Sequence, residues 1–378
     1  MSETAFRNAR IVLADEVVVG SVAIADGRVV AVDTGNGGVG EDCEGDYLVP
    51  GLVELHTDQF ESHYRPRPGV YWHTLGALQA HDVQIAGSGI TTVFDAVRIG
   101  ADPELPGLAA HVGAMVEAIA TGVADGRLKA DHLIHLRCEL PTPDAAEMFE
   151  TLSRLPLVKL ASVMDHTPGQ RQYQVLEGYV QYYKGKLNLS DAEMDRFIAE
   201  RQEEQRRYAE ANRKAILSRG RDAGIAFASH DDATEEQVAE AVRDGVAIAE
   251  FPTTLTAARA SHAAGLAVLM GAPNVVRGGS HSGNIAASEL AREGCLDVLS
   301  SDYVPGALML AAFMLPQLVE GLTLPEAIAM VTARPAAAVH LEDRGEIATG
   351  KRADLVRVRL HDGMPVVKAV WRQGRRVS

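Results

Sequence analysis

Several things are missing from this chain of 378 residues, and each absence removes a class of protein. Its three cysteines, Cys43, Cys138 and Cys295, are odd in number and far apart, so no disulfide framework is expected. That leaves the cytoplasm as the expected compartment. No apolar run approaches the roughly 18 residues a membrane helix needs. Met1–Arg7 has no basic segment leading into an apolar one, so no signal peptide is expected. Basic charge is also scarce: 36 Lys and Arg against 51 Asp and Glu give a net charge of −15. A nucleic-acid surface is disfavoured, because phosphate backbones recruit broad basic patches. A small anionic substrate stays open, since it needs only local cations, helix ends and metals. No internal repeat stands out. No Gly-x-Gly-x-x-Gly follows an early strand, which argues against a dinucleotide-binding open sheet.

What is present is strand-rich at both ends and alternating in the middle. Ala9–Leu13, Glu16–Val19, Ser21–Ala25 and Val29–Asp33 read as short strands, with Asp26-Gly27 as a tight turn. Asp354–Arg359 and Val366–Arg372 flank a second turn, His361-Asp362-Gly363. One small β domain assembled from residues 1–48 and 344–378 is therefore expected. Between them, residues 49–343 carry eight β-type apolar runs: Leu52–His56, Gly89–Asp95, His132–Glu139, Leu157–His166, Ile225–His230, Val246–Phe251, Ala267–Gly271 and Leu296–Asp302. Helical patterns separate them, and Ser190-x-x-Glu193, Thr234-x-x-Gln237 and Thr323-x-x-Glu326 match capping boxes. Eight such units predict an α/β fold: a (β/α)8 TIM-type barrel with a small β-sandwich built from both termini. A doubly wound open sheet is the alternative. Residues 167–222 are polar, charged and too long for an ordinary connection, which suggests a solvated helical hairpin or a lid.

Several of these runs stop on side chains that bind metals. The first ends on His56-Thr57-Asp58, and residues two apart at a strand end point to one side. The third ends on Glu139, the fourth on Asp165-His166, the fifth on His230-Asp231-Asp232, and the eighth on Asp302. A single histidine after a strand is more often a packing or capping residue, and Asp231 and Asp232 read as helix-entry residues. His63, His73, His81 and His111 receive no role, while His132 and His135 read as packing. Taken together, five strand ends with ligand chemistry point to one or two divalent ions, zinc first and manganese or iron next. Lys159, as a carbamylated bridge, ranks below Glu139.

With those residues in view, the chain resembles the amidohydrolase superfamily. The likeness rests on Val49-Pro50-Gly51-Leu52-Val53-Glu54-Leu55-His56 at barrel entry and on Gly345–Val356 at barrel exit. It implies a metal-bearing barrel hydrolase. Two departures set the chain apart from an ordinary amidase or deaminase. Asp58 stands where most members carry a second histidine, and the sixth strand offers Glu250 where a histidine is usual. His56–Val70, Met164–Gln172 and Gly271–Asn284 are similar to the diphosphatases of phosphonate breakdown within that superfamily. The resemblance then implies release of pyrophosphate from a ribose 5-triphosphate bearing a 1-methylphosphonate.

The sequence offers cations for such a substrate. Arg65 and Arg67 lie in a stiff Pro-spaced loop after the first strand; Gln170 and Arg171 follow the fourth, with Lys184 further along. Arg277-Gly278-Gly279-Ser280-His281-Ser282 reads as an anion-cradling loop. Arg171 and Arg277 are the preferred phosphate clamps. His56, Asp58, Glu139, His166 and His230 are the expected ligands, Asp302 the proton acceptor, and His281 a partner of the leaving group. A soluble homo-oligomer without nucleic-acid or membrane partners is expected. The competing expectations are an amidohydrolase or deaminase acting on a cyclic C–N bond, and a barrel kept as a non-catalytic assembly protein.

Overall fold

A computed structural model describes residues 3–35, 38–100, 108–173, 176–280 and 283–378. The first strands are β1 (Glu3–Val12), β2 (Val17–Ala25), β3 (Arg28–Thr34), β4 (Glu41–Asp42) and β5 (Tyr47–Pro50). The barrel strands are β6 (Leu52–Thr57), β7 (Ile90–Ile99), β8 (Asp131–Glu139), β9 (Val158–Met164), β10 (Ala226–His230), β11 (Ile248–Glu250), β12 (Ala267–Gly271) and β13 (Val298–Ser300). Last come β14 (Leu355–His361), β15 (Met364–Arg372) and β16 (Arg375–Arg376). Strands β6 to β13 form one sheet in chain order, and a parallel bridge between Thr57 and Asp302 joins its last strand end to its first. The eight apolar runs are thus the eight strands of a (β/α)8 barrel, and the doubly wound alternative is overturned. β6 is buried throughout, as expected of a parallel strand covered on both faces.

The terminal strands form the second sheet, ordered β16-β15-β14-β5-β1-β2-β3 with β4 beside β1. The two segments expected at 16–19 and 21–25 are one strand, β2. Gly20 permits this, because a Cβ there would lie 2.1 Å from the carbonyl oxygen of Asp33 on β3. Phe6, Ile11, Leu48, Leu355 and Trp371 form its apolar core, with Phe6 edge-on to Trp371 at 4.6 Å. Both chain ends therefore share one hydrophobic cluster.

Helices α1 (Gln59–Tyr64), α2 (Thr74–Gly87), α3 (Leu108–Ala124), α4 (Ala145–Leu152), α5 (Leu176–Leu187), α6 (Asp191–Asp222), α7 (Glu235–Arg243), α8 (Leu255–Ala263) and α9 (Ala272–Arg277) lie along the barrel segment. All three capping boxes are formed. The 167–222 insertion is a helical hairpin with its own core of Tyr179, Tyr183 and Met194. The second half of α6 buries Ala209, Asn212, Arg213, Ile216, Leu217 and Gly220, a helical stripe. Gly220 lets α6 approach β10 closely, since a Cβ there would sit 2.2 Å from the Phe227 ring. Among the described residues, no helix is long and apolar enough to cross a membrane.

The chain divides into two compact units, Met1–Asp95 with Ala118–Leu133 and Met270–Ser378, and Ala96–Glu117 with Ile134–Leu269.

Candidate functional site

In the first unit, β6 and β13 end side by side. The Asp302 amide donates to the His56 carbonyl at 3.0 Å, and the Asp58 amide donates to the Asp302 carbonyl at 3.3 Å. His56, Asp58 and Asp302 therefore leave two neighbouring strand ends. Asp302 is held at a φ of 54°, a left-handed conformation that aspartate tolerates better than most residues. Beneath them Glu54 is wholly buried, accepting from the His56 amide at 2.6 Å and the Ser301 amide at 2.5 Å. Burial raises its pKa to about 7 despite those bonds. Glu54 thus pins the two strand ends together.

Asp58 also lines a cleft of about 340 Å³ with Glu61, Arg65 and Arg67. The prolines alternating with the arginines restrict this loop, so the basic expectation at 65–67 has a physical setting. The expectation for the Gly-rich loop does not survive intact. Gly278 caps α9 in the left-handed region, donating its amide to Val275 O at 3.1 Å, while Gly279 donates to Asn274 O at 2.9 Å. These two amides are spent on the helix end and do not cradle an anion. Arg277 is exposed at the end of α9, and Ser280 follows in an irregular segment. His281 and Ser282 lie outside the described residues.

In the second unit, β8, β9 and β10 bring Glu139, His166 and His230 together, with Asp231. Glu139 is buried and accepts from the His166 amide at 3.0 Å, His166 Nδ1 at 2.6 Å and Arg98 at 2.9 Å. Burial alone would raise its pKa, but His166 and Arg98 outweigh that and hold the carboxyl well below the usual range. His230 Nδ1 meets Glu250 at 2.7 Å. A carboxylate oxygen accepts, so both Nδ1 atoms donate, and each ring turns its Nε2 toward Asp231. Those two Nε2 atoms lie 3.8 and 3.5 Å from one oxygen of Asp231.

Donors around a tetrahedral ion at about 2.1 Å lie roughly 3.4 Å apart, so this set suits a transition metal with little movement. The carboxylate behind each imidazole is the usual support of a ligating histidine.

Two sequence expectations change here, while Glu139 accepts from His166 and Arg98. Arg171, expected as a phosphate clamp, is buried and bonded to Asp232, to the His230 carbonyl at 3.2 Å and to Glu240 at 3.5 Å. Lys184 is paired with Asp191 on the neighbouring helix. Gln170 lies in the turn after β9 beside Gln205, whose side chain reaches Asp165 at 3.3 Å. Two residues were underread. Asp231 sits in a His-Asp-Asp run that resembles a helix entry, and its left-handed φ of 57° is invisible in sequence. Glu250 was noted only as standing where a histidine is usual; its burial and its bond to His230 give it a purpose.

Comparison with known proteins follows the same lines. Residues 76–377 match the amidohydrolase family. The chain is 47% identical over 373 residues to the alpha-D-ribose 1-methylphosphonate 5-triphosphate diphosphatase of Escherichia coli (strain K12), covering 98% of this chain and 99% of the other. Among solved structures, an N-acetyl-D-glucosamine-6-phosphate deacetylase from Mycobacterium smegmatis superposes with a TM-score of 0.64 over 100% of both chains at 18% identity. A 5-methylcytosine deaminase from Klebsiella pneumoniae gives 0.64 over 99% and 98% at 16% identity. At such identities the likeness concerns the fold.

Proposed function

The chain belongs to the amidohydrolase family, and from that premise we propose that it releases pyrophosphate from α-D-ribose 1-methylphosphonate 5-triphosphate, leaving the 5-phosphate. The observation that carries this reading is the 47% identity to the Escherichia coli diphosphatase, which spans both chains almost end to end. Such coverage takes in every barrel strand end. It is not confined to one motif.

The chemistry is hydrolysis of a phosphoanhydride by a water. A divalent ion, zinc in this proposal, would when bound supply that water in a nucleophilic form near neutral pH and offset charge on the phosphates. His56 and Asp58 on β6 would hold an ion in the first unit, and His166 and His230 on β9 and β10 would hold one in the second, where Glu139 orients His166. Asp302 accepts the proton of the attacking water. Its carboxylate leaves the barrel at the end of β13, next to His56 and Asp58, which is where a proton acceptor is needed. Arg65 and Arg67 receive the departing pyrophosphate in the cleft they share with Asp58, where paired guanidinium groups suit phosphate oxygens. Arg277, exposed after β12, contacts the far phosphates, and His281 hydrogen-bonds the leaving group.

The proposal includes a cytoplasmic homo-oligomer. All three cysteines are free and buried, as suits a reducing compartment. The test is phosphorus NMR of metal-loaded enzyme with the methylphosphonate ribose triphosphate. Inorganic pyrophosphate and a 5-phosphate should appear together. Release of orthophosphate alone, or hydrolysis of a cyclic amide in place of the triphosphate, would overturn the reading.

A further inference from the structure

We infer that Asp231 is the third protein ligand of the ion held by His166 and His230, and that Glu139 and Glu250 are positioning residues for those two imidazoles. This rests on the metallohydrolase reading above and goes beyond it by reassigning a residue that the sequence presents as a helix entry.

The geometry is specific. The ligand atoms of His166, His230 and Asp231 all lie within 4.8 Å of one another. Both imidazoles present Nε2 to the same Asp231 oxygen, at 3.8 and 3.5 Å, distances too long for good hydrogen bonds. Two ring nitrogens and a carboxylate oxygen gathered around one small space are the donor set of a cation site. Each Nδ1 is meanwhile taken by a separate buried carboxylate, Glu139 at 2.6 Å and Glu250 at 2.7 Å.

The backbone is built to hold Asp231 there. It adopts a φ of 57°, which costs energy for a residue with a Cβ and persists only where surroundings enforce it. The Asp231 amide donates to the Glu250 carbonyl at 2.9 Å, so β11 fixes the turn. Arg171 secures the other side through Asp232 and the His230 carbonyl. The turn is thus fixed on both sides, which holds the Asp231 carboxylate in place.

The experiment compares wild type, Asp231→Asn, Asp231→Cys, Glu139→Gln and Glu250→Gln for bound metal after dialysis and for the visible spectrum of the cobalt(II)-loaded protein. Asp231→Asn should weaken metal binding at this position at least 100-fold. Glu250→Gln and Glu139→Gln should weaken it roughly 10- to 100-fold, the range for an outer support. Asp231→Cys should give a thiolate-to-cobalt charge-transfer band, which arises only if residue 231 touches the ion. Unfolding midpoints of the metal-free proteins separate loss of a ligand from loss of fold. Absence of that band, with Asp231→Asn binding metal as wild type does, overturns the inference and leaves the metallohydrolase reading standing. A wild-type protein that holds no metal sinks both.

Discussion

At the scale of single residues, the most exacting expectation concerns Asp302. Asparagine keeps its volume and tolerates its left-handed backbone, so Asp302→Asn should fold and retain nearly all bound metal. Without a carboxylate to accept a proton, kcat should fall by about 10³-fold, within the range for loss of a general base. Pyrophosphate release and metal content measured on one preparation decide it, and retained turnover removes Asp302 from the role. Its place at a strand end was legible because it ends an apolar run. Arg171 was not: an arginine after a strand looks like an anion clamp until a buried Asp232 claims it. Gly278 and Gly279 misled in the same way, since a glycine pair reads equally as an anion cradle or a helix cap. Sequence gives the donor; only the fold shows which acceptor it has met.

At the scale of elements, α2, β7 and β8 share a buried ionic network. Asp95 on β7 meets His81 of α2 at 2.8 Å and His132 of β8 at 2.7 Å, and His132 also meets Asp82 at 3.2 Å. Asp82 in turn accepts from the Lys129 and Ala130 amides. Burial alone would lower the His132 pKa, but Asp95 and Asp82 raise it to about 9, while Asp95 falls to about 2. A raised histidine stabilises fully below its unfolded value near 6.5 and loses that contribution as pH climbs through about 9. The Asp95 contribution is lost only near pH 2. Urea unfolding should therefore show wild type losing on the order of 2 kcal/mol between pH 7 and 10. His132→Gln should be less stable at pH 7 and nearly flat over that interval. An equal decline in both proteins would refute the network's part. The strands themselves were easy to find, because parallel strands covered on both faces are short and uniformly apolar. This network was not, because pairing His81 with His132 requires knowing how α2 lies on β7.

At the scale of the whole molecule, residues from both ends of the chain meet in one core. Trp371 is 3% exposed and packs edge-on against Phe6. Trp371→Ala should cost about 3–5 kcal/mol, the usual range for deleting a buried aromatic, lowering the thermal midpoint by several degrees. A midpoint within a degree of wild type would show that the terminal sheet contributes little. That the two ends form one sheet was readable from their shared turn-and-strand rhythm. The pairing itself was not, because β5 is only four residues long and had no strand signal of its own. Its consequence lies in biosynthesis. β5 pairs with β14, which leaves the ribosome roughly 300 residues later. At elongation speeds of about 5–20 residues per second that is on the order of 15–60 s during which a nascent β edge stays uncovered and open to wrong partners. Newly made protein thus depends on β14 to close that edge, so a chain cut short before β14 should yield a sticky intermediate, not a slightly shortened enzyme.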